Sequence, residues 1–411
     1  MNLVDQGAFR WHTLWLERAN RSNYRKDGQI LNKQAFVSLL TPPGRGAVAT
    51  VVVGGQDCVA CVAERFDAAC GRRLDELVID RIFFGRWRSR EGPGEELVVC
   101  RRSDWVEIHG HGGRAAPASI IQDLVEDGCR EMAWPDLLWQ TSADPFAAEA
   151  CIALTQARTQ RTAAILMDQV RGALREQWEK VIRALESGDI PTASASMEEL
   201  TQQSCIGLHL IQPYRVVLCG PPNVGKSTLI NALLGYQRSI VYDQPGTTRD
   251  VLTTHTALEG WPIELSDTAG LRDQASGVEA EGVERSRQQR EKADLVLLIY
   301  DASQSSPEVI LTEGSGQQHL TIYNKMDQRS SGLDGEGIFT NALTGDGVGD
   351  LVKAIVETLV PLPPRAGQAV PFTHRQVKAL KASQVQLFSD QPQTAAAILR
   401  AAARVGPVVS S

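Results

Sequence analysis

Two glycines, a lysine and a hydroxyl stand in fixed order in Gly220-Pro-Pro-Asn-Val-Gly-Lys-Ser227. Glycines let backbone N–H groups curl around phosphate oxygens, and a lysine places a cation at the β and γ positions. A helix opening at that lysine adds the positive end of its dipole. The Ser227 hydroxyl is of the right kind to ligate Mg2+. Asp267-Thr-Ala-Gly270 stands 41 residues beyond Lys226. An aspartate there holds Mg2+ through water, and the Gly270 N–H can reach a γ-phosphate. In Asn324-Lys-Met-Asp327 the Asp327 carboxylate can accept from N1–H and the exocyclic amine of guanine, a donor pair that adenine lacks. Leaving such a carboxylate unpaired penalises the wrong base by on the order of a few kcal/mol. Asn341-Ala-Leu-Thr-Gly345 lies where a base-contacting loop of the form SAxxG belongs, with Asn341 in the serine position. Motifs in this order imply a site that binds and hydrolyses GTP with Mg2+.

Such loops must hang from a sheet. Apolar runs at Tyr214–Cys219, Ile263–Ser266, Leu295–Tyr300, Leu320–Tyr323 and Gly337–Phe339 read as strands. Helical stretches lie between them, among them Thr228–Leu234 and Asp350–Leu359, and this alternation predicts a parallel sheet with crossovers. Pro361-Leu-Pro-Pro364 stops the last helix, so an α/β domain is expected over 213–362. Before it, residues 145–211 repeat apolar positions at three and four, the helical spacing. After it, Gln376–Leu387 and Thr394–Arg404 are helical and are expected to pack back on the earlier helices. The α/β domain would then be inserted in a discontinuous helical domain, 132–212 with 363–411. Residues 34–131 read as a small α+β domain: strands at Phe36–Leu40, Ala47–Val53, Leu77–Phe84, Glu96–Cys100 and Trp105–Ile108, with a helix at Ala116–Asp127. Residues 1–33 are polar and read as an N-terminal extension. The expected fold class is therefore multidomain α+β.

The chain has 411 residues, 43% hydrophobic and 22% charged, which excludes disorder as the main state. No apolar run reaches the ~18 residues of a spanning helix, and the start lacks the pattern of a secretory signal, so no membrane partner is expected. A formal net charge of −7 does not announce a nucleic-acid binder. Eight cysteines are too sparse for a disulfide framework, and a reducing cytoplasm is expected. The Cys58/Cys61 pair reads as small apolar side chains beside a strand. His109 and His111 have metal-pair spacing but no evident third ligand, and read as part of a glycine-rich turn through Gly113.

Further motifs narrow the class. Gly246-Thr-Thr-Arg-Asp250 lies between the first and second motifs, and Thr248 rather than Thr247 is expected to complete the Mg2+ shell. With Asn223 in the phosphate loop and Leu271 directly after DTAG, this resembles the GTPases TrmE, Era and Der. A Ras-like enzyme would carry a water-orienting Gln at 271, which Leu271 cannot replace. Thr41-Pro-Pro-Gly-Arg-Gly-Ala47, His109-Gly-His-Gly-Gly113 and Ala148-Glu-Ala150 resemble the tRNA-modification GTPase family MnmE, also called TrmE.

That resemblance implies a P-loop, Ras-like GTPase domain inserted in a helical domain behind a folate-binding-like N-terminal domain. It implies that Asn223 ligates K+, wrapped by 241–246, and that K+ takes the part of an arginine finger. It implies that Glu279 orients water, that the protein is a homodimer, and that it assists wobble-uridine modification of tRNA with an FAD-dependent partner. It also implies a folate one-carbon donor, with Arg45 a candidate folate or dimer contact.

The resulting nucleotide set is Gly220, Asn223, Val224, Gly225, Lys226, Ser227, Thr228, Thr247, Thr248, Asp267, Gly270, Asn324, Lys325, Asp327, Asn341 and Ala342. Within it Lys226 and Thr248, together with Glu279, act on the reaction itself. The sequence departs from the family in three places. Arg101-Arg-Ser-Asp104 replaces a TGED stretch, Trp134–Pro145 replaces the GEFT…NGKLDL stretch, and no cysteine follows Cys219 where the family has FCIGK. Two other readings therefore stay open: a GTP-dependent regulatory switch without tRNA chemistry, and an Era- or Der-like ribosome-assembly GTPase.

Overall fold

A computed structural model describes residues 34–42, 44, 46–90, 92, 94–142, 144–236, 253–267, 288, 290–304, 318–330 and 336–404. The chain forms two compact units that divide between Ala148 and Glu149.

The first unit is built on a seven-stranded sheet of order β3-β4-β5-β6-β2-β1-β7. The strands are β1 (Phe36–Leu39), β2 (Val48–Gly54), β3 (Phe66–Ala68), β4 (Ile82–Trp87), β5 (Glu95–Arg101), β6 (Trp105–His111) and β7 (Arg130–Glu131). Neighbours are antiparallel except β1 and β7. Side-chain alternation gives each face its own core. Val51 and Val53 of β2 join Val37, Val99, Val106 and Ile108 on one face, against helices α1 (Cys58–Ala63) and α2 (Ala115–Glu126). Val52, between them, joins Phe36, Trp105 and Met132 on the other. Leu137 of α3 (Trp134–Thr141) completes that second cluster. So α3 packs on the sheet, whereas the helical domain was expected to begin at 132.

Two further expectations change here. The strand expected at 77–84 lies at Ile82–Trp87, because Asp80 takes a left-handed conformation (φ 63°) that ends extended backbone after Leu77. His109 and His111 are not in a turn but in β6, where Thr50 Oγ1 meets His109 Nδ1 at 3.1 Å and Glu95 Oε1 meets His111 Nδ1 at 2.7 Å. Burial pushes the Cys58 thiol up to about 11 and the Cys129 thiol up to about 12, so both are inert fillers of the core.

The most buried charge of this unit is Glu107, 1% exposed. Arg102 grips it with two hydrogen bonds, Nε to Oε1 at 3.1 Å and Nη2 to Oε2 at 2.9 Å. The Trp105 indole donates to Oε1 at 3.0 Å. Burial alone would push the carboxyl up; hydrogen bonds from His109, Arg102 and Trp105 outweigh it and bring the pKa down to about 2.

The second unit combines helices and a six-stranded sheet. Its helices are α4 (Pro145–Leu154), α5 (Gln160–Val170), α6 (Ala173–Ser187), α7 (Ile190–Gly207), α8 (Lys226–Tyr236), α9 (Val348–Leu359), α10 (His374–Phe388) and α11 (Pro392–Arg404). The last two return to the first four. The fully buried Trp178 of α6 donates its indole N–H to Leu399 O at 3.0 Å. Glu149 of α4 accepts from Arg375 Nε at 2.9 Å and Gln376 Nε2 at 2.6 Å. Gln169 of α5 donates to Gln368 O at 3.0 Å and accepts from Val370 N at 3.1 Å. Gly207 closes α7 against Pro371, whose carbonyl oxygen would lie 1.9 Å from any added Cβ, so only glycine fits.

The sheet runs β13-β12-β11-β8-β10-β9. Its strands are β8 (Tyr214–Cys219), β9 (Thr253–Leu258), β10 (Trp261–Asp267), β11 (Leu295–Asp301), β12 (His319–Asn324) and β13 (Ile338–Phe339). All pairs are parallel except β9 with β10. The tip of the β9–β10 hairpin docks on α5. Thr159 caps that helix through the Thr162 N–H and also donates to Gly260 O at 2.6 Å. Arg161 lies over the Trp261 ring at 5.5 Å. Among the described residues no helix is long and apolar enough to cross a membrane.

Two outcomes follow from these contacts. Trp178→Ala should cost about 3–5 kcal/mol of stability, read by chemical denaturation, because it leaves a large cavity and an unpaired carbonyl. The lowered pKa of Glu107 means its contribution is full above its ordinary 4.5 and is lost as pH falls towards about 2. Glu107→Gln should therefore flatten that acid limb of the denaturation midpoint.

Candidate nucleotide site

The sheet's carboxyl ends carry the site. β8 is buried along nearly its whole length and delivers the chain at Gly220. Gly220 passes so close to β11 that a Cβ would lie 2.5 Å from Ile299 O. Asn223 (φ 64°) and Gly225 (φ 94°) bend the loop through left-handed geometry, which turns successive N–H groups inward. Lys226 opens α8 at 5% exposure, and its ammonium donates to Gly220 O at 3.0 Å and Pro221 O at 2.8 Å. The cation thus stands over the mouth of the loop. Val224 is buried beneath it, and Ser227 and Thr228 lie in the first turn of α8.

Asp267, the last residue of β10, arrives from the neighbouring strand. Ser227 Oγ lies 3.4 Å from its Oδ2. A hydroxyl and a carboxylate side by side suit a hard cation such as Mg2+. Among the described residues no cluster of three or more His, Cys, Asp or Glu could hold a metal. Mg2+ takes several of its ligands from phosphate and water oxygens, so such a cluster is not needed.

The base end is assembled by Asn324, 3% exposed at the end of β12. Its Nδ2 donates to Val224 O at 2.8 Å, and its Oδ1 accepts from Ala342 N at 3.1 Å and Thr340 Oγ1 at 3.3 Å. One side chain therefore ties the phosphate loop to both base-reading loops. Lys325 takes a left-handed conformation (φ 63°) and its ammonium meets Asp301 Oδ2 at 2.7 Å. Burial raises the Asp301 pKa, but Lys325 and Ser303 outweigh it and leave it below the usual carboxylate value. Asp327 then stands exposed, with Asn341 Nδ2 donating to its Oδ1 at 3.0 Å.

The structure thus brings together Gly220, Asn223, Val224, Gly225, Lys226, Ser227, Thr228, Asp267, Asn324, Lys325, Asp327, Asn341 and Ala342. Thr247, Thr248, Gly270 and Glu279 lie outside the described residues, as do Arg45 and the 241–246 loop. Three neighbours of the site escaped the sequence reading. Asp301 anchors Lys325, Thr340 supports Asn324, and Leu343 stands 87% exposed beside Ala342. Asp301 ends an apolar strand in Leu-Ile-Tyr-Asp301, which was the available signal.

The 50S ribosome-binding GTPase family matches residues 215–325. The tRNA modification GTPase MnmE of Syntrophotalea carbinolica is 32% identical over 378 residues, 80% of this chain and 82% of that protein. The chain belongs to the MnmE family. The MnmE of Thermus thermophilus is 31% identical over 384 residues, 85% of this chain and 87% of its own. The solved FeoB G domain from Methanococcus jannaschii overlays with a TM-score of 0.28 at 28% identity, spanning 36% of this chain and 98% of that one, too loosely to add to the assignment. This MnmE-family chain is a GTP-hydrolysing enzyme with a P-loop GTPase domain of mixed α/β content.

Asp327→Asn replaces an acceptor by a donor at the base edge. It should lower GDP affinity at least about tenfold and favour xanthosine diphosphate, whose base offers a carbonyl there. Competition against a fluorescent nucleotide measures both.

Proposed function

We propose that this chain is a tRNA-modification GTPase that works as a potassium-activated, dimerisation-gated switch. The observation that carries this is the joint placement of the phosphate loop, Asp267 and the guanine loops on one sheet edge, in a chain related to MnmE over most of its length. Three domains fit the reading: a folate-binding-like domain that includes α3, a helical domain made of the helices from α4 to α7 with those after 362, and the GTPase domain at 213–362. The contacts of Gln169 with Gln368 and Val370, and of Trp178 and Glu149 with the C-terminal helices, support the discontinuous helical domain.

In this reading Ser227 and Thr248 ligate Mg2+ directly and Asp267 does so through water. Mg2+ supplies positive charge to the phosphate oxygens. Lys226 binds the β and γ phosphates. Its two loop-carbonyl contacts are replaceable by phosphate oxygens without moving the helix. Asn223, at a left-handed bend of the loop, carries a side-chain amide oxygen, the kind of ligand K+ takes. Charge from K+ does the work of an arginine finger. Glu279 holds the attacking water, a task closed to Leu271.

The partners of the reading are a second copy of the chain, tRNA, and an FAD-dependent modification protein. A folate takes no step in this reading, since Arg101–Asp104 and Trp134–Pro145 depart from the family's stretches.

GTP turnover by the purified chain should rise at least about tenfold when K+ replaces Na+ at equal ionic strength, the scale of one lost charge-stabilising contact. Wobble uridines from cells lacking the gene should be unmodified when analysed by mass spectrometry. Equal rates in the two salts would reject the potassium step. Unchanged tRNA would favour a regulatory GTPase without tRNA chemistry.

A further inference from the structure

We infer that the exposed face of α10 is an RNA-docking surface: Lys378 and Lys381 take backbone phosphates, and Phe388 stacks on an unpaired base. The choice of RNA rests on the tRNA reading above and deepens it.

The charge of this chain is unevenly placed. Its formal net charge is −7, yet residues 363–411 hold six lysines and arginines and one aspartate. Neither α10 nor α11 has an acidic residue. The exposed positions of α10 are His374, Lys378, Lys381, Val385 and Phe388. Steps of four and three put them on one stripe. All but Phe388 line an open groove of about 530 Å3, together with Val377 and Ala382. Among the described residues neither lysine has an ion pair or a side-chain hydrogen bond, whereas Arg375 is held by Glu149 and Arg400 by Glu186. Arg375 also donates to Ala402 O, so the last turn of α11 lies beside the first turn of α10. That brings the exposed Arg404 to the cationic end of the stripe.

The other end is apolar. Val385 is 59% exposed and Phe388 87%. The helix rises about 15 Å from Lys378 to Phe388, so a strand laid along it passes two cations before it reaches the ring. Cations that track a backbone and an aromatic face that takes a base are the two requirements of single-stranded nucleic acid binding. RNA loops supply such unstacked bases, and paired RNA does not. Asp390, the lone anion of the segment, lies beyond Phe388 and does not separate the lysines from a phosphate chain.

Other anionic partners fit less well. A helix that lies on a membrane needs its apolar face free, but Val377 and Leu380 are buried in the bundle. A protein interface gathers apolar groups at its centre and charges at its rim, whereas here they occupy opposite ends.

The test uses the full chain, a labelled RNA hairpin with a single-stranded loop, a blunt RNA duplex of equal length, and vesicles containing phosphatidylserine. Anisotropy reads the RNA probes and co-sedimentation the vesicles. Lys378→Gln combined with Lys381→Gln should weaken hairpin binding about tenfold at low salt and reduce its log–log salt slope by about 1.4, the release from two single-strand phosphates. Phe388→Ala should weaken the hairpin about tenfold and leave the duplex unchanged, and Phe388→Trp should keep the wild-type affinity. GTP turnover without RNA should hold its wild-type rate in every variant, because these positions lie outside the nucleotide site. Hairpin affinity unchanged in the lysine and Phe388→Ala variants would overturn the inference while leaving the tRNA reading standing. Equal loss of hairpin and duplex in Phe388→Ala would overturn the stacking. Binding to vesicles but not to the hairpin would overturn the inference in favour of a membrane surface. Hairpin binding that depends on all three residues, with wobble uridines unchanged in cells lacking the gene, would uphold the surface and reject the tRNA reading.

Discussion

The Asn324 side chain is the interaction on which the site depends. It is buried, and it spends its donor on Val224 O and its acceptor on Ala342 N and Thr340 Oγ1. A buried amide left unpaired is costly, so the three segments stay together or all three are disturbed. The phosphate end and the base end of the nucleotide are read by loops that are far apart in the chain. Beyond the pairing of β8, β11 and β12, one buried side chain bonds directly across them. Gly225 belongs to the same arrangement: a Cβ there would lie 2.3 Å from Asn324 Nδ2. The glycine is required both for the positive φ and for the approach of the amide.

Much of this site was legible in the sequence because phosphate and guanine chemistry demand particular residue types at short range. Gly220 to Ser227, Asp267 and Asn324 to Asp327 are such local patterns. The strands β8 and β11 were legible for another reason: both are buried along almost their whole length and read as unbroken apolar runs. β9 was not, because Thr253-Thr-His-Thr-Ala-Leu258 is an edge strand only half buried, with polar residues at most positions. α1 and β3 are too short, at six and three residues, to show a period. Pairings between distant positions were also hidden. Nothing in the composition of residues 301 and 325, or 341 and 327, names them as partners, since the sheet order must be known first.

The first unit shows the same limit. The Arg102–Glu107 pair is five residues apart, yet it is the turn between β5 and β6, closed by Arg102 N to Trp105 O, that brings the guanidinium back to Glu107 of β6. Removing either partner would strand a charge, whereas the pair itself need not add stability over an apolar substitute.

The hairpin of β9 and β10 adds a constraint of another kind. A sheet joined to neighbouring helices only through the chain itself can swivel about that connection. Here Thr159 grasps the turn at Gly260, and Arg161 covers Trp261, so an attachment through side chains exists as well. Any Cβ at Gly260 would press on Arg161 at 3.1 Å, which keeps that attachment tight. That contact resists the swivel, so a tilt of the sheet edge that ends at Asp267 is felt by the helix that begins at Gln160.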